Sequence, residues 1–259
     1  MPLWQEGYDS LVARANVKEG STCLDVGTGS GEIALRLGRL VGGRGRVVAI
    51  DAQPEMLQIA RRKANEGGVQ NVEFKESTME SMKLPDDSFD SVLAHYSLCC
   101  CSDYRATLDE CFRVLREGGR LTYNHGGAAD PLPFQVIFKI FENYKTNSPS
   151  KDLEEMRSAE FAQAEAVEKY TDPYVTLDEM RGAGFKNAEA TLTKRGVRYK
   201  DVAAYVDEWI LFDWATEAEE ISPADLRRFR REATEALAPL SEGPGFNVER
   251  DTIFFTGKR

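Results

Sequence analysis

Apolar and polar positions along this chain follow two alternating periods. Short runs rich in Val, Ile and Leu, at about 22–26, 46–50, 71–76, 88–94 and 120–124, are bounded by Gly, Pro or Asp and read as buried strands. Between them the spacing is helical: about 31–41, then a segment opened by Pro54 and closed near Gly67-Gly68, then about Asp103 to Glu117 with Gly118-Gly119 as its stop. Leu3, Trp4, Tyr8, Leu11 and Val12 predict a short amphipathic helix covering the sheet or a pocket beside it. Strands alternating with helices predict an α/β fold, a mainly parallel sheet covered on both faces.

After the fifth strand the pattern changes. About fifty residues precede Thr176-Leu177-Asp178-Glu179, a capping box that predicts a further helix. That is too long for an ordinary α/β connection. Within it Phe134, Ile137, Phe138, Phe141 and Tyr144 share one helical face. A second excursion separates a strand at 188–192 from one at 251–256. It carries Val202, Tyr205, Val206, Trp209 and Ile210 on one helix, and Ser222-Pro223-Ala224-Asp225 opens another. The expectation is a single domain over 1–259, with helical lid insertions at about 126–175 and 196–246. Both leave from the carboxyl ends of strands, the face on which open α/β sheets bind ligands. Most of the lid aromatics are expected to pack inward. Phe138, Phe141, Tyr205 and Trp209, with Tyr123 on strand five, are the candidates for contact with a substrate.

The chemistry is concentrated near the amino end. Leu24-Asp25-Val26-Gly27-Thr28-Gly29-Ser30-Gly31 reads as strand, glycine turn and helix start, and Val47-Val48-Ala49-Ile50-Asp51 as a second strand ending in a carboxylate. Such a carboxylate is placed to accept hydrogen bonds from ribose hydroxyls. A dinucleotide fingerprint needs G-x-G-x-x-G, so that a pyrophosphate sits on the helix amino end. Here the glycines fall at 27, 29 and 31, and the sixth position is Glu32, expected to repel a diphosphate. An NAD-dependent oxidoreductase is disfavoured accordingly.

Composition narrows the partners. Asp and Glu number 43 against 33 Lys and Arg, a formal charge of −10 that argues against a nucleic-acid substrate. The Arg227–Arg231 run is followed by Glu232 and Glu235 and reads as a solvated helix face. Five cysteines, an odd count without disulfide spacing, suit a reducing compartment. Cys99-Cys100-Cys101 cannot easily converge on one ion, so no metal is expected. No signal pattern and no apolar run of spanning length is present, and a cytoplasmic location is the expectation.

Five segments in order resemble the class I S-adenosylmethionine (SAM) methyltransferases: Asp25–Gly31, Val48–Asp51, Pro54–Ala60, Leu84–Val92 and Cys111–Leu121. The resemblance is to the small-molecule branch that includes ubiquinone/menaquinone-biosynthesis C-methyltransferases (methyltransferase type 11). It implies a Rossmann-like seven-stranded sheet with its last strand antiparallel. It also implies SAM as cofactor, with S-adenosylhomocysteine (SAH) as product. Asp25, Gly27, Thr28, Gly29 and Asp51 are then the donor-loop residues, Asp25 orienting the amino-acid end of the donor. Ala52 and Met56 resemble the positions flanking adenine, and Tyr96 a donor-contacting position. Thr78 stands where the family usually has an Asp for adenine, with Met79 beside it and Glu80 a competing candidate. No Asn/Asp-Pro-Pro-Tyr follows strand four, which counts against nucleobase methylation. The acceptor is expected to be a small, partly apolar metabolite methylated on O, N or C. His125, and next to it in rank His95, are candidate bases, although a sulfonium leaving group needs little base assistance. A SAM- or SAH-binding protein without turnover remains open from sequence, and an aminopropyl transferase is less favoured.

Overall fold

The computed structural model describes residues 2–127, 130–158, 170, 172–211, 214–241 and 243–259, with side chains from residue 7 onward. Among them seven strands form one sheet: β1 (Thr22–Val26), β2 (Arg46–Asp51), β3 (Val72–Glu76), β4 (Phe89–His95), β5 (Leu115–Gly126), β6 (Lys186–Tyr199) and β7 (Phe246–Lys258). Their order is β3-β2-β1-β4-β5-β7-β6. The first five strands are parallel, and β7 runs antiparallel between β5 and β6. The chain order reverses between β1 and β4, which opens a crevice at their carboxyl ends.

The helices are α1 (Pro2–Arg14), α2 (Glu32–Val41), α3 (Pro54–Glu66), α4 (Tyr104–Val114) and α5 (Leu132–Phe141). They continue with α6 (described over 151–158), α7 (Pro173–Gly182), α8 (Val202–Leu211), α9 (Ala215–Glu219) and α10 (Pro223–Leu237). Successive strand residues point to opposite faces, and here both faces are buried. Cys23, Val47, Ala49 and Leu93 meet Leu11 of α1 and Ile33, Leu37 and Val41 of α2. Leu24, Val48, Val92 and Leu121 meet Leu108 and Cys111 of α4 and Met180 of α7. Each Val, Leu, Ile or Met among them contributes roughly 1.5–3 kcal/mol relative to an exposed one.

The outer pair β6–β7 outgrows the sheet. Their register runs from Lys186↔Lys258 to Tyr199↔Phe246, whereas β5 pairs with β7 only as far as Gly126↔Thr252. On the overhang Val197, Tyr199, Phe246 and Val248 found a second core with α5, α8, α9 and α10. Trp214 stacks on Phe141 with ring centroids 4.2 Å apart. Arg157 of α6 grips Glu217 of α9 through two hydrogen bonds of 2.6 and 2.7 Å.

Several boundaries differ from the sequence expectation. Helix α4 ends at Val114, not near Glu117, because Leu115 already pairs with Phe89. Gly118, at φ 77°, then lies in the register shift that separates this pair from Ser91↔Arg120. Helix α7 begins before the predicted capping box: Pro173 occupies its first turn and the Asp172 carboxylate accepts from Tyr174 N at 2.8 Å. Thr176 donates instead to Tyr170 O at 2.9 Å. Strands β6 and β7 reach well beyond 188–192 and 251–256, since the polar alternation of the overhang masks them. Of the predicted amino-terminal stripe, Tyr8, Leu11 and Val12 pack on the sheet. The side chains of Leu3 and Trp4, and residues 159–169 of the first insertion, lie outside the described residues.

Candidate functional site

The crevice over β1, β2 and β4 is a cleft in two joined parts. One, of about 480 Å³, is lined by Asp51, Ala52, Gln53, Thr78, Met79 and Ser97 among others. The other, of about 240 Å³, is lined by Tyr8, Asp25, Thr28, Gly29 and Glu32 among others. Gly27, His95 and Tyr96 belong to both walls.

The loop from β1 into α2 sets the shape of this cleft. Gly27 has φ 64°, and a β-carbon on it would lie 2.4 Å from Ser97 Cβ, so no side chain fits there. Gly29 has φ 52° and open space above it, leaving bare backbone facing the cleft. Thr28 N donates to Ile50 O at 2.9 Å and Gly29 N to Asp51 Oδ2 at 2.7 Å. Asp51 Oδ1 accepts from Gln53 N at 2.9 Å. The carboxylate is thereby held at the strand end, half-buried, with lone pairs left for a ligand.

Asp25 is 1% exposed, and its Oδ2 accepts from Thr28 Oγ1 at 2.6 Å. Burial, with a smaller push from the Asp51 charge, raises its pKa to about 7. Its other oxygen is buried without a hydrogen-bond partner. A cation arriving in the 240 Å³ part would ionise this carboxyl and pair with it. Glu32 does not present the bare negative charge expected from sequence, because Lys63 and Arg36 each bind it at 2.9 Å. The glycine spacing, rather than charge repulsion, is what disfavours a pyrophosphate.

Beyond β4 the backbone is strained. Tyr96 has φ 49°, a left-handed conformation rare for a bulky residue, and its hydroxyl shares a 2.7 Å hydrogen bond with Thr252 Oγ1 on β7. Ser97 donates to Val26 O at 2.6 Å, tying this turn to the glycine loop. His95 is half-buried against Tyr8, ring centroids 4.6 Å apart. Burial, helped by the charges of Arg195 and Arg36, lowers its pKa to about 3.

Most of the residues expected to bind a donor meet at this cleft: Asp25, Gly27, Thr28, Gly29, Asp51, Ala52, Thr78, Met79 and Tyr96. Met56 is half-buried on α3 and does not line it. His125 points to the opposite sheet face, against Tyr123 and Phe255, with Nε2 3.3 Å from Tyr104 Oη. Burial lowers its pKa to about 4. Tyr123 is fully buried in the same core and bonded to Tyr104 Oη at 2.8 Å. Phe141, Tyr205 and Trp209 belong to the second core on the β6–β7 overhang, while Phe138 is 40% exposed. The cysteine run sits in a tight turn, Cys99 and Cys100 Sγ 4.0 Å apart and Cys101 Sγ turned to Leu98 O. Gln53, Ser77, Ser97, Cys100 and Ser102 also line the cleft, and the sequence reading missed them as site residues. Their signal was positional only, each following a strand's carboxyl end.

Comparison with known proteins agrees with this geometry. A family model described as a methyltransferase domain matches residues 17–178. The ubiquinone/menaquinone biosynthesis C-methyltransferase UbiE of Marinomonas sp. is 36% identical over 120 residues, 46% of this chain and 47% of that protein. An uncharacterised methyltransferase of Bacillus subtilis, YcgJ, is 35% identical over 133 residues, 50% of this chain and 51% of that one. These matches cover about half the length of the curated relatives. The solved YcgJ structure shares the fold over 98% of both chains, with a TM-score of 0.61 at 21% identity. A SAM-dependent methyltransferase from Aquifex aeolicus aligns over 69% of this chain and 79% of its own, with a TM-score of 0.51 at 26% identity.

Proposed function

The chain belongs to the methyltransferase-domain family, and from that premise we propose that it is a class I, UbiE-like enzyme that transfers the methyl group of SAM to a small, partly apolar metabolite. The observation carrying this reading is the glycine loop. Bare backbone at Gly29 faces open space beside a carboxylate fixed at the end of β2. In the proposed arrangement adenine lies against Ala52, Thr78 and Met79, and the ribose hydroxyls reach Asp51. The donor's ammonium meets Asp25, and its methyl points past Tyr96.

The sulfonium is already an excellent leaving group, so the protein's work is alignment and exclusion of water. The nucleophile must approach in line at about 3–3.5 Å. An O, N or C nucleophile suits this geometry. Of the two histidines, His95 stands at the methyl end of the cleft, and its lowered pKa makes it a neutral hydrogen-bonding group at pH 7. His125, on the far face of the sheet, is not assigned a step. Calorimetry tests the reading: SAM and SAH should give saturable heat, NADH none, and Asp51→Ala should weaken both adenosyl ligands by roughly tenfold or more. Saturable binding of NADH with none of SAH would overturn it.

A further inference from the structure

Resting on that reading of the donor cleft, we propose that the methyl acceptor is an anionic, partly apolar metabolite, its carboxylate or phosphate held by Arg195 and Arg250. The two arginines are cross-strand partners on β6 and β7. Paired residues of antiparallel strands project from one face, so the two side chains leave the ribbon on the same side, Arg195 reaching toward Gly7 and Arg250 toward Trp209. Acids stand near one of the two: Glu208 and Asp130 act together with Arg250 on the Tyr205 hydroxyl. Arg195 Nε and Nη1 are buried without a hydrogen-bond partner. Arg250 lies over the Trp209 ring, 4.9 Å from its centroid.

The position is a seam. On the same face of the ribbon, Val197 and Val248 lead into the second core, while Thr193 and Thr252 lead back toward α1. Thr252 holds the Tyr96 hydroxyl, so the seam adjoins the methyl end of the cleft. Helix α1 approaches it through Gly7. A β-carbon there would lie 2.8 Å from His95 Nε2 and 3.1 and 3.2 Å from Arg195 Nη1 and Nη2. Asn124, paired with His95 across β4–β5, is 0% exposed, and neither its Oδ1 nor its Nδ2 has a partner. A buried amide unsatisfied at both ends and a guanidinium with two unpartnered nitrogens are complemented together by a carboxylate or phosphate oxygen. Trp209 and Phe134, with ring centroids 4.4 Å apart, offer the apolar surface beside it.

The test is calorimetry with benzoate, phenyl phosphate and neutral benzamide on wild type, Arg195→Gln and Arg195→Lys, each with and without SAH. In wild type the anions should bind at least tenfold more tightly than benzamide. Arg195→Gln should remove that preference while SAH affinity holds, and Arg195→Lys should restore part of it. Equal binding of benzoate and benzamide, or an anion preference surviving in Arg195→Gln, overturns the proposal. So does loss of SAH affinity in Arg195→Gln with 5′-methylthioadenosine affinity intact, since the guanidinium would then serve the donor's own carboxylate. SAH heat in wild type is read separately: its absence removes the donor-cleft reading, whereas anion preference is measured on donor-free protein.

Discussion

The cleft-bearing half of the sheet and the β6–β7 overhang bury side chains by different rules. Around β1, β2 and β4 the sheet is packed with aliphatic residues on both faces, and polar chemistry is confined to the strand ends. On the β6–β7 overhang the core is aromatic: Phe141, Trp209, Trp214, Phe229 and Phe246 pack ring against ring. The first region leaves its backbone little room, as the exclusion of any side chain at Gly27 shows. The second fills volume, which many combinations of large side chains can do. On the proposed reading the donor loop needs the former, and a cover over the acceptor needs only the latter.

The sharpest way to separate the halves is to damage each in turn. Gly27→Ala forces a β-carbon into Ser97 and an L side chain into a left-handed conformation. SAH affinity should fall by about a hundredfold or more, since the loop can no longer approach the ligand, with a stability loss of roughly 1–3 kcal/mol. Trp214→Ala should destabilise the fold by about 3–5 kcal/mol, as expected for a large aromatic removed from a core. SAH affinity of the folded fraction should stay within about twofold. A Trp214 variant that lost donor binding in proportion to stability would erase the distinction between the halves.

Asp25 gives a pH-dependent contrast. Its folded pKa of about 7 exceeds the usual 3.8, so the folded protein keeps a proton that the unfolded chain releases in between. The stability this contributes is full below the unfolded pKa and is lost as pH rises through about 7. Asp25→Asn abolishes the loss. Ligand-free thermal unfolding should show the variant several degrees more stable than wild type at pH 8 and nearly equal to it near pH 4, while its SAM affinity at pH 8 falls about tenfold. Equal melting temperatures at both pH values would remove the buried charge from consideration. The smallest effect is expected at His125: replacement by Phe should leave SAH affinity and its pH profile unchanged, measured by the same titrations.

What could be read in advance follows the same division. The first five strands, the glycine loop and Asp51 were legible because tight turns and buried strands constrain residue type directly. The lid helices were legible as apolar stripes, from Val202 to Ile210 for example, but not what they touch. Helical spacing shows that Phe141 and Tyr205 are buried, not that their partners are Trp214 and Phe246. Sequence alone does not say which sheet face His125 joins; the register His95↔Asn124 puts it on the face opposite His95. The overhang of β6 escaped notice because Lys194, Arg195 and Arg198 interrupt its apolar alternation, as charges on an edge strand commonly do.

Amide hydrogen exchange with and without SAH tests the placement of the donor most directly. Protection should appear at Thr28 to Gly31, at Asp51 to Gln53 and at Thr78 to Met79, where backbone and ligand share the cleft. Protection confined to α8 and α10, with those three segments unchanged, would contradict a donor site built on the crest of β1 and β2.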